Sequence, residues 1–383
     1  MSDSTPLDVL DSVQARYAEG AETRVPELCC PVDYDASLLE VLPPEIIERD
    51  YGCGDPSRFV RKGDIVVDLG SGAGKICYMA SQLVGAEGRV IGVDATPEML
   101  ELSRSWQKDI GERIGWHNTE FRHGLIQDMA LDRDALATWL EAHPVQGVAD
   151  LDALRGEEAR LRRETPLIAD GSVDLVLSNC VLNLVESDLK EQLFQEIARV
   201  LKSGGRCAIS DIVCDEDVPA ELQADPELWS GCISGALRED RFLQAFADAG
   251  LHGVEVVEYQ REPWAVVRGI EFRSMTVVAW KAADEPRKDH GEALIYKGPW
   301  REVTDDRGRT LRRGERTAVS RTDFERLGAE PYGEEVIPVS PLVEVSAEDA
   351  SDFSCCRAAE RAPDETKAGV KRDDVAPGTS SCC

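Results

Sequence analysis

Apolar and polar positions along the chain fall into short β-branched runs separated by longer helical stretches. Ile65-Val66-Val67 leads to Asp68, and glycines follow at Gly70, Gly72 and Gly74. A helical stretch comes next, then a second apolar run at 89–93 that ends on Asp94. That order predicts strand, glycine loop, helix, strand, the first unit of a doubly wound α/β sheet. Further strands are predicted at 119–122, 173–180, 206–213, 254–259 and 272–280. Helices are expected over 96–108, with Thr96 as N-cap and Pro97 in the first position, over 189–201, ended by Gly204-Gly205, and over 239–249, closed by Gly250. Strands alternating with helices at these lengths mark a parallel-type sheet.

The flanks read differently. Residues 1–60 mix helical pattern, notably an amphipathic run at 7–17, with turn-rich breaks, and form an expected lid segment carrying Cys29, Cys30 and Cys53. A charged, helix-prone insertion occupies 130–169 within the main domain, 61–282. After Lys281 a charged linker leads to a small β-rich module at 291–343. Residues 344–383 are polar and low in aromatics, and a flexible tail is expected there, bearing Cys355-Cys356 and Cys382-Cys383.

Composition narrows the function. The 383 residues include 73 acidic against 43 basic, a net charge of −30. Such a field repels phosphate backbones, so no nucleic-acid partner is expected. The N-terminal residues show neither a basic nor an apolar leader region, and no apolar run reaches membrane-spanning length, so a cytoplasmic protein without membrane contact, acting as a monomer, is expected. The 12 cysteines include no C-x-x-C pair, and the five histidines form no cluster, so a structural zinc is not expected. In a reducing compartment the thiols are packing, ligand or redox residues.

The glycine loop is not a dinucleotide loop, which needs glycine where Lys75 stands, nor a P-loop, whose spacing and hydroxyl are missing. Asp68-x-Gly70-x-Gly72-x-Gly74 instead resembles the S-adenosyl-L-methionine (SAM) loop of class I methyltransferases. That resemblance implies that Asp68, Gly70, Ser71, Gly72 and Gly74 hold the methionine end of SAM. It places Asp94 and Ala95 at the ribose, and Leu125 and Ile126 at the adenine.

In open α/β sheets ligands bind beyond the carboxyl ends of the strands. Cys180 immediately follows the fourth strand, and Cys232 lies in the 214–240 segment after the fifth. Cys53 sits in a loop upstream of the first. The three thiols are expected to converge on one rim. Cys77 and Cys207 read as packing residues, and Cys214 fits either role.

At these positions the chain resembles the arsenic(III) methyltransferases. The matching pieces are Tyr51-Gly52-Cys53-Gly54, Asp68-Leu69-Gly70-Ser71-Gly72-Ala73-Gly74, Ser178-Asn179-Cys180-Val181-Leu182-Asn183-Leu184-Val185 and Trp229-Ser230-Gly231-Cys232, within 45–280. The resemblance implies that Cys53, Cys180 and Cys232 bind As(III), delivered as arsenite or thiol-bound arsenic. Trivalent arsenic is soft and selects thiolates. Tyr51 is implied beside the sulfonium, where an aromatic face favours a cation. Cys29 or Cys30 is implied as redox partner of Cys53, with thioredoxin or glutathione as reductant. Two other readings compete: a SAM-dependent methyltransferase of another small acceptor, and a non-catalytic thiol protein that sequesters a metalloid.

Overall fold

The computed structural model describes residues 9–23, 32, 34–49, 51–282, 287–353, 360–368 and 370. Cys29, Cys30, Cys355, Cys356, Cys382 and Cys383 lie outside the described residues. The chain divides into two compact units, Met1–Ala282 and Ala283–Cys383.

The first unit is a nine-stranded sheet. Its strands are β1 (Ile65–Leu69), β2 (Arg89–Asp94), β3 (Thr119–His123), β4 (Val173–Asn179), β5 (Leu201–Cys214), β6 (Leu237–Arg238), β7 (Leu251–Tyr259), β8 (Ala265–Val267) and β9 (Ile270–Lys281). They run in the order β3-β2-β1-β4-β5-β9-β7, with β6 on β5 and β8 on β9. The chain leaves β1 toward β2 and β3, then returns to the other side of β1 to lay down β4 and β5. The ends of β1 and β4 therefore flank the switch point where such sheets open a crevice.

The helices are α1 (Val9–Glu22), α2 (Ala36–Leu39), α3 (Pro44–Glu48), α4 (Lys75–Val84), α5 (Pro97–Ile114), α6 (Arg133–Ala142), α7 (Val148–Glu164), α8 (Lys190–Val200), α9 (Ala220–Gln223), α10 (Pro226–Ser230) and α11 (Glu239–Asp248). Helices on both faces explain why β1 is almost wholly apolar and buried. On one face Phe194, Phe242 and Phe246 meet edge to face across α8 and α11, with centroids 4.9 to 6.4 Å apart. On the other, Tyr78, Met79, Met99 and Ile110 fill the space under α4 and α5.

Several sequence expectations need correction. The sheet is not parallel throughout: β9 runs antiparallel to both β5 and β7. Gly204-Gly205 does not end a helix. Helix α8 stops at Val200, and β5 already begins at Leu201; Gly204 at φ +76° sits where the β4–β5 register jumps from Val173↔Leu201 to Leu175↔Arg206. Thr96 stands at the N-cap of α5 but makes no side-chain cap; its hydroxyl bonds the Asp94 carboxylate instead, beside its N–H, which donates to Asp94 Oδ1 at 2.8 Å. The first helix continues to Glu22, where Gly20 lets the Tyr51 ring approach; a Cβ there would lie 3.0 Å from Tyr51 Cε2. The 130–169 insertion is a helical hairpin, α6 and α7, closed by Arg162 on Asp128 and by Leu167 and Ile168 bonding back to Ala130 and Met129.

The second unit contains a three-stranded antiparallel sheet of Ala293–Tyr296, Arg316–Ala318 and Val336–Val339, plus a hairpin of Glu302–Thr304 with Thr310–Arg312. The helix Arg321–Leu327 was not legible in the sequence; buried Asp323 at its start gathers Arg287, Arg307 and Arg309 at 2.6 to 2.9 Å. The expected flexible tail is folded where it is described. Ser351–Asp352 pairs with Lys288–Asp289, buried Arg361 bridges Asp289 at 2.7 Å, and Leu342 N–H bonds Thr366 O. Polar composition hid these charge-assisted contacts. Among the described residues, no helix is long and apolar enough to cross a membrane.

Candidate active site

The glycine loop turns at the end of β1. The N–H groups of Gly70 and Ser71 both donate to Val93 O on β2, at 2.8 and 3.1 Å. Gly70 has φ +64°, and a Cβ there would lie 2.3 Å from Val181 Cγ1, so both backbone and space demand glycine. At Gly72, φ +49°, a Cβ would point into open space. Its N–H instead bonds Asp94 Oδ2 at 2.8 Å, tying loop to β2. Burial pushes the Asp94 carboxyl up from its ordinary value, against the opposing pull of its bonds from Thr96 and Gly72.

A cavity of about 220 Å³ opens over this loop. Of the residues expected to hold SAM, Tyr51, Gly70, Gly72, Asp94, Ala95, Leu125 and Ile126 line it. Asp68, Ser71 and Gly74 do not. Asp68 lies beneath, accepting from Cys77 Sγ at 3.3 Å, and Gly74, φ +91°, begins α4. Ser71 is buried with its Oγ unpartnered among the described residues. The lining fits SAM. An acidic residue stands at the end of β2 for ribose hydroxyls, Met99, Leu125 and Ile126 give an apolar wall for a base, and space lies open above Gly72.

Within the lid segment expected at residues 1–60, α1 supplies a wall whose individual residues the sequence did not single out. Val9, Leu10, Val13 and Tyr17 recur at helical spacing and line the cavity. The apolar face was readable; what it covers was not. Helix α1 is latched at two points. Gln14 Nε2 donates to Ala95 O at 2.7 Å, and Arg16 Nη1 donates to Glu227 O at 2.9 Å and Ser230 Oγ at 2.8 Å on α10.

Cys180 lines one end of the cavity and belongs to a second, buried cluster with Cys53, Cys232 and Cys214. Cys180 and Cys232 both adopt φ +63°, a left-handed conformation unusual for non-glycine residues and one that concentrates at functional sites. Cys232 Sγ donates to Cys180 O at 3.1 Å. Hydrogen bonds with the thiols of Cys232 and Cys53, followed by burial, push the Cys180 thiol well above its ordinary range. Burial also raises the Cys53 thiol from its ordinary value.

The Cys53 loop is held by Asn179, the last residue of β4. Its Oδ1 accepts from Cys53 N at 2.9 Å and Gly54 N at 3.1 Å; its Nδ2 donates to Gly54 O at 2.8 Å and Tyr34 Oη at 3.1 Å. Ser274 Oγ adds a bond to Cys53 O at 2.6 Å. Cys77 and Cys207 sit in the buried core, and Cys214 Sγ faces Ala236 O at 3.6 Å.

A carboxylate that the sequence did not flag lies in the same cluster. The ligand atoms of Cys180, Cys232 and Asp211 fall within 4.8 Å of one another. Asp211 is fully buried on β5, and burial raises its pKa to about 6. Its Oδ2 accepts from Leu182 N and its Oδ1 from Ile212 N, each at 2.8 Å. Lys190 is buried opposite it, its pKa lowered to about 8 by burial, with Nζ on Leu182 O at 2.8 Å. No spacing in the sequence marks Asp211, since its neighbours are remote in the chain.

Residues 60–250 match the methyltransferase domain family, and residues 283–371 match a family described as a domain of unknown function. An arsenite methyltransferase of Aquipseudomonas alcaligenes is 34% identical over 271 residues, 68% of this chain and 67% of that one. The arsenite methyltransferase of Halobacterium salinarum is 36% identical over 279 residues, 67% of this chain and 60% of the relative. That of Mus musculus is 30% identical over 302 residues, 75% of this chain and 69% of the relative. Among solved structures, CrArsM, an arsenic(III) S-adenosylmethionine methyltransferase from Chlamydomonas reinhardtii, aligns with a TM-score of 0.53 at 25% identity, over 85% of this chain and 100% of that one. With its sheet order, glycine loop and matched relatives, this chain belongs to the arsenite methyltransferase family, on a class I SAM-dependent methyltransferase fold.

Proposed function

We propose that this protein transfers methyl groups from SAM to trivalent arsenic held by Cys53, Cys180 and Cys232. The observation that carries the proposal is the meeting of these thiols, from three distant segments, with Cys180 shared between the cluster and the cavity over the glycine loop.

Arsenite condenses with three thiols to release three waters, and each thiol proton departs with an arsenic hydroxide. Capture is therefore neutral overall, and thiols held above their ordinary pKa are no obstacle to it. Three sulfurs leave the arsenic lone pair free, so no general base is required. SAM, when bound, supplies a methyl activated on a sulfonium. The chain's own task is to position both partners and exclude water. Asp94 and the glycine loop hold one end, and α1, through Gln14 and Arg16, covers the cavity. The Tyr51 ring, braced edge-on by Tyr17 at 6.0 Å, offers an aromatic face to a cation.

Methylation raises arsenic formally to the pentavalent state. Attack by the thiol of Cys29 or Cys30 on Cys53 sulfur breaks the arsenic–sulfur bond and leaves its electron pair on arsenic. The attacking thiol's proton goes to solvent. The disulfide so formed is reduced by thioredoxin or glutathione, in the cytoplasm, with the protein acting as a monomer. The function is detoxification of arsenite.

The test is to incubate the full chain with SAM, arsenite and a thiol and to separate the arsenic species. Methylated arsenicals are expected, and Cys180→Ser or Cys232→Ser should abolish them while SAM still binds. SAM binding without any methylated arsenic would overturn the proposal. Full arsenite methylation in both variants would overturn the assignment of arsenic to these thiols.

A further inference from the structure

Resting on that reading, we infer that Asp211 is the counter-charge for the positive charge that moves onto arsenic during methyl transfer. Before transfer, arsenic bound to three thiolates is neutral. The new carbon–arsenic bond uses the arsenic lone pair, the sulfonium–carbon bond breaks, and its electrons neutralise the sulfur. The positive charge thus passes from the cofactor's sulfur to arsenic.

Charge that appears only as the reaction proceeds is where a fixed opposite charge speeds a reaction rather than merely binding the reactants. Asp211 stands there. Its carboxylate oxygen lies within 4.8 Å of the Cys180 and Cys232 ligand atoms, and its field reaches Cys53 as well. Cys180 lines the cavity over the glycine loop, and Asp211 is buried beside it without lining that cavity. The N–H groups of Leu182 and Ile212 fix its two oxygens, and Lys190 is the buried cation facing it. The side chain is fully buried, so water does not screen it.

Because arsenite capture creates no net charge and methyl transfer does, the two steps separate in Asp211→Asn. Arsenite binding, read by stoichiometry and calorimetric affinity, should stay within about threefold of wild type, while single-turnover methyl transfer falls about a hundred- to a thousandfold, the scale for losing one preorganised electrostatic group. Asp211→Glu should recover part of the rate. An unchanged transfer rate, or a loss of arsenite binding that matches the loss of rate, would overturn the inference. If Asp211→Asn does not fold, Lys190→Met decides at a pH well above the carboxylate range. Removing the opposing cation should give transfer at or above the wild-type rate, and a slower rate with intact arsenite binding would overturn the inference. Failure of the wild-type chain itself to methylate arsenite would instead refute the proposed function.

Discussion

Asn179→Ala should uncouple cofactor binding from arsenic binding. The side chain makes four hydrogen bonds, three of them to backbone groups of Cys53 and Gly54. Truncation leaves the N–H groups of Cys53 and Gly54 in a buried site without their partner, while Gly54 O keeps its bond from Tyr34 Oη. At about 1–3 kcal/mol for each orphaned group, partly recovered by relaxation, the local cost is about 2–4 kcal/mol. The loop escapes that cost by swinging out, and Cys53 goes with it. Two thiols then remain where three stood. The apparent arsenite affinity should fall about a hundredfold, since each tenfold is about 1.4 kcal/mol. The SAM cavity is lined by Tyr51 but not by Asn179 or Cys53, and Tyr51 keeps its own bond to Gly20 O and its contact with Tyr17, so the SAM dissociation constant should change less than about threefold, a few tenths of a kcal/mol. Calorimetry with each ligand in turn reads both numbers, and a melting curve confirms the variant is folded. Arsenite affinity within twofold of wild type would refute the reasoning, because Cys53 would then be either dispensable or held by something else.

Gly70→Ala places a methyl 2.3 Å from Val181 Cγ1 at φ +64° and should abolish SAM binding in calorimetry. Arg16→Ala removes two bonds to α10 and should raise the KM for SAM several-fold with little change in arsenite affinity; amide exchange in 9–22 should quicken. Lys190 has a folded-state pKa of about 8 against an ordinary 10.5, so burying its charge costs about 3 kcal/mol below pH 8. Because the folded value is depressed, that cost is full below about 8 and is relieved as pH rises from there toward 10.5. Wild-type stability relative to Lys190→Met, measured by denaturant unfolding, should therefore improve across that window, and a flat difference would refute the assignment.

The sequence by itself determined the strand–glycine loop–helix–strand unit, the acidic end of β2 and the candidate thiols. Each is local: alternation and β-branching set strands, positive φ demands glycine at Gly70 and Gly72, and strand ends are where ligands bind. Only the tertiary structure decided what stands between those pieces. Asn179 matters because it ends β4 beside a loop more than a hundred residues away, and Asp211 because β5 lies next to β4. Helix α1 becomes a cavity wall by crossing α5 and α10, a contact no periodicity encodes. The folded stretches after Glu344 lacked the apolar signal that sequence patterns read, since ion pairs and short strand pairings hold them. Hydrophobic period reports which face of an element is covered, and only the fold supplies its neighbour.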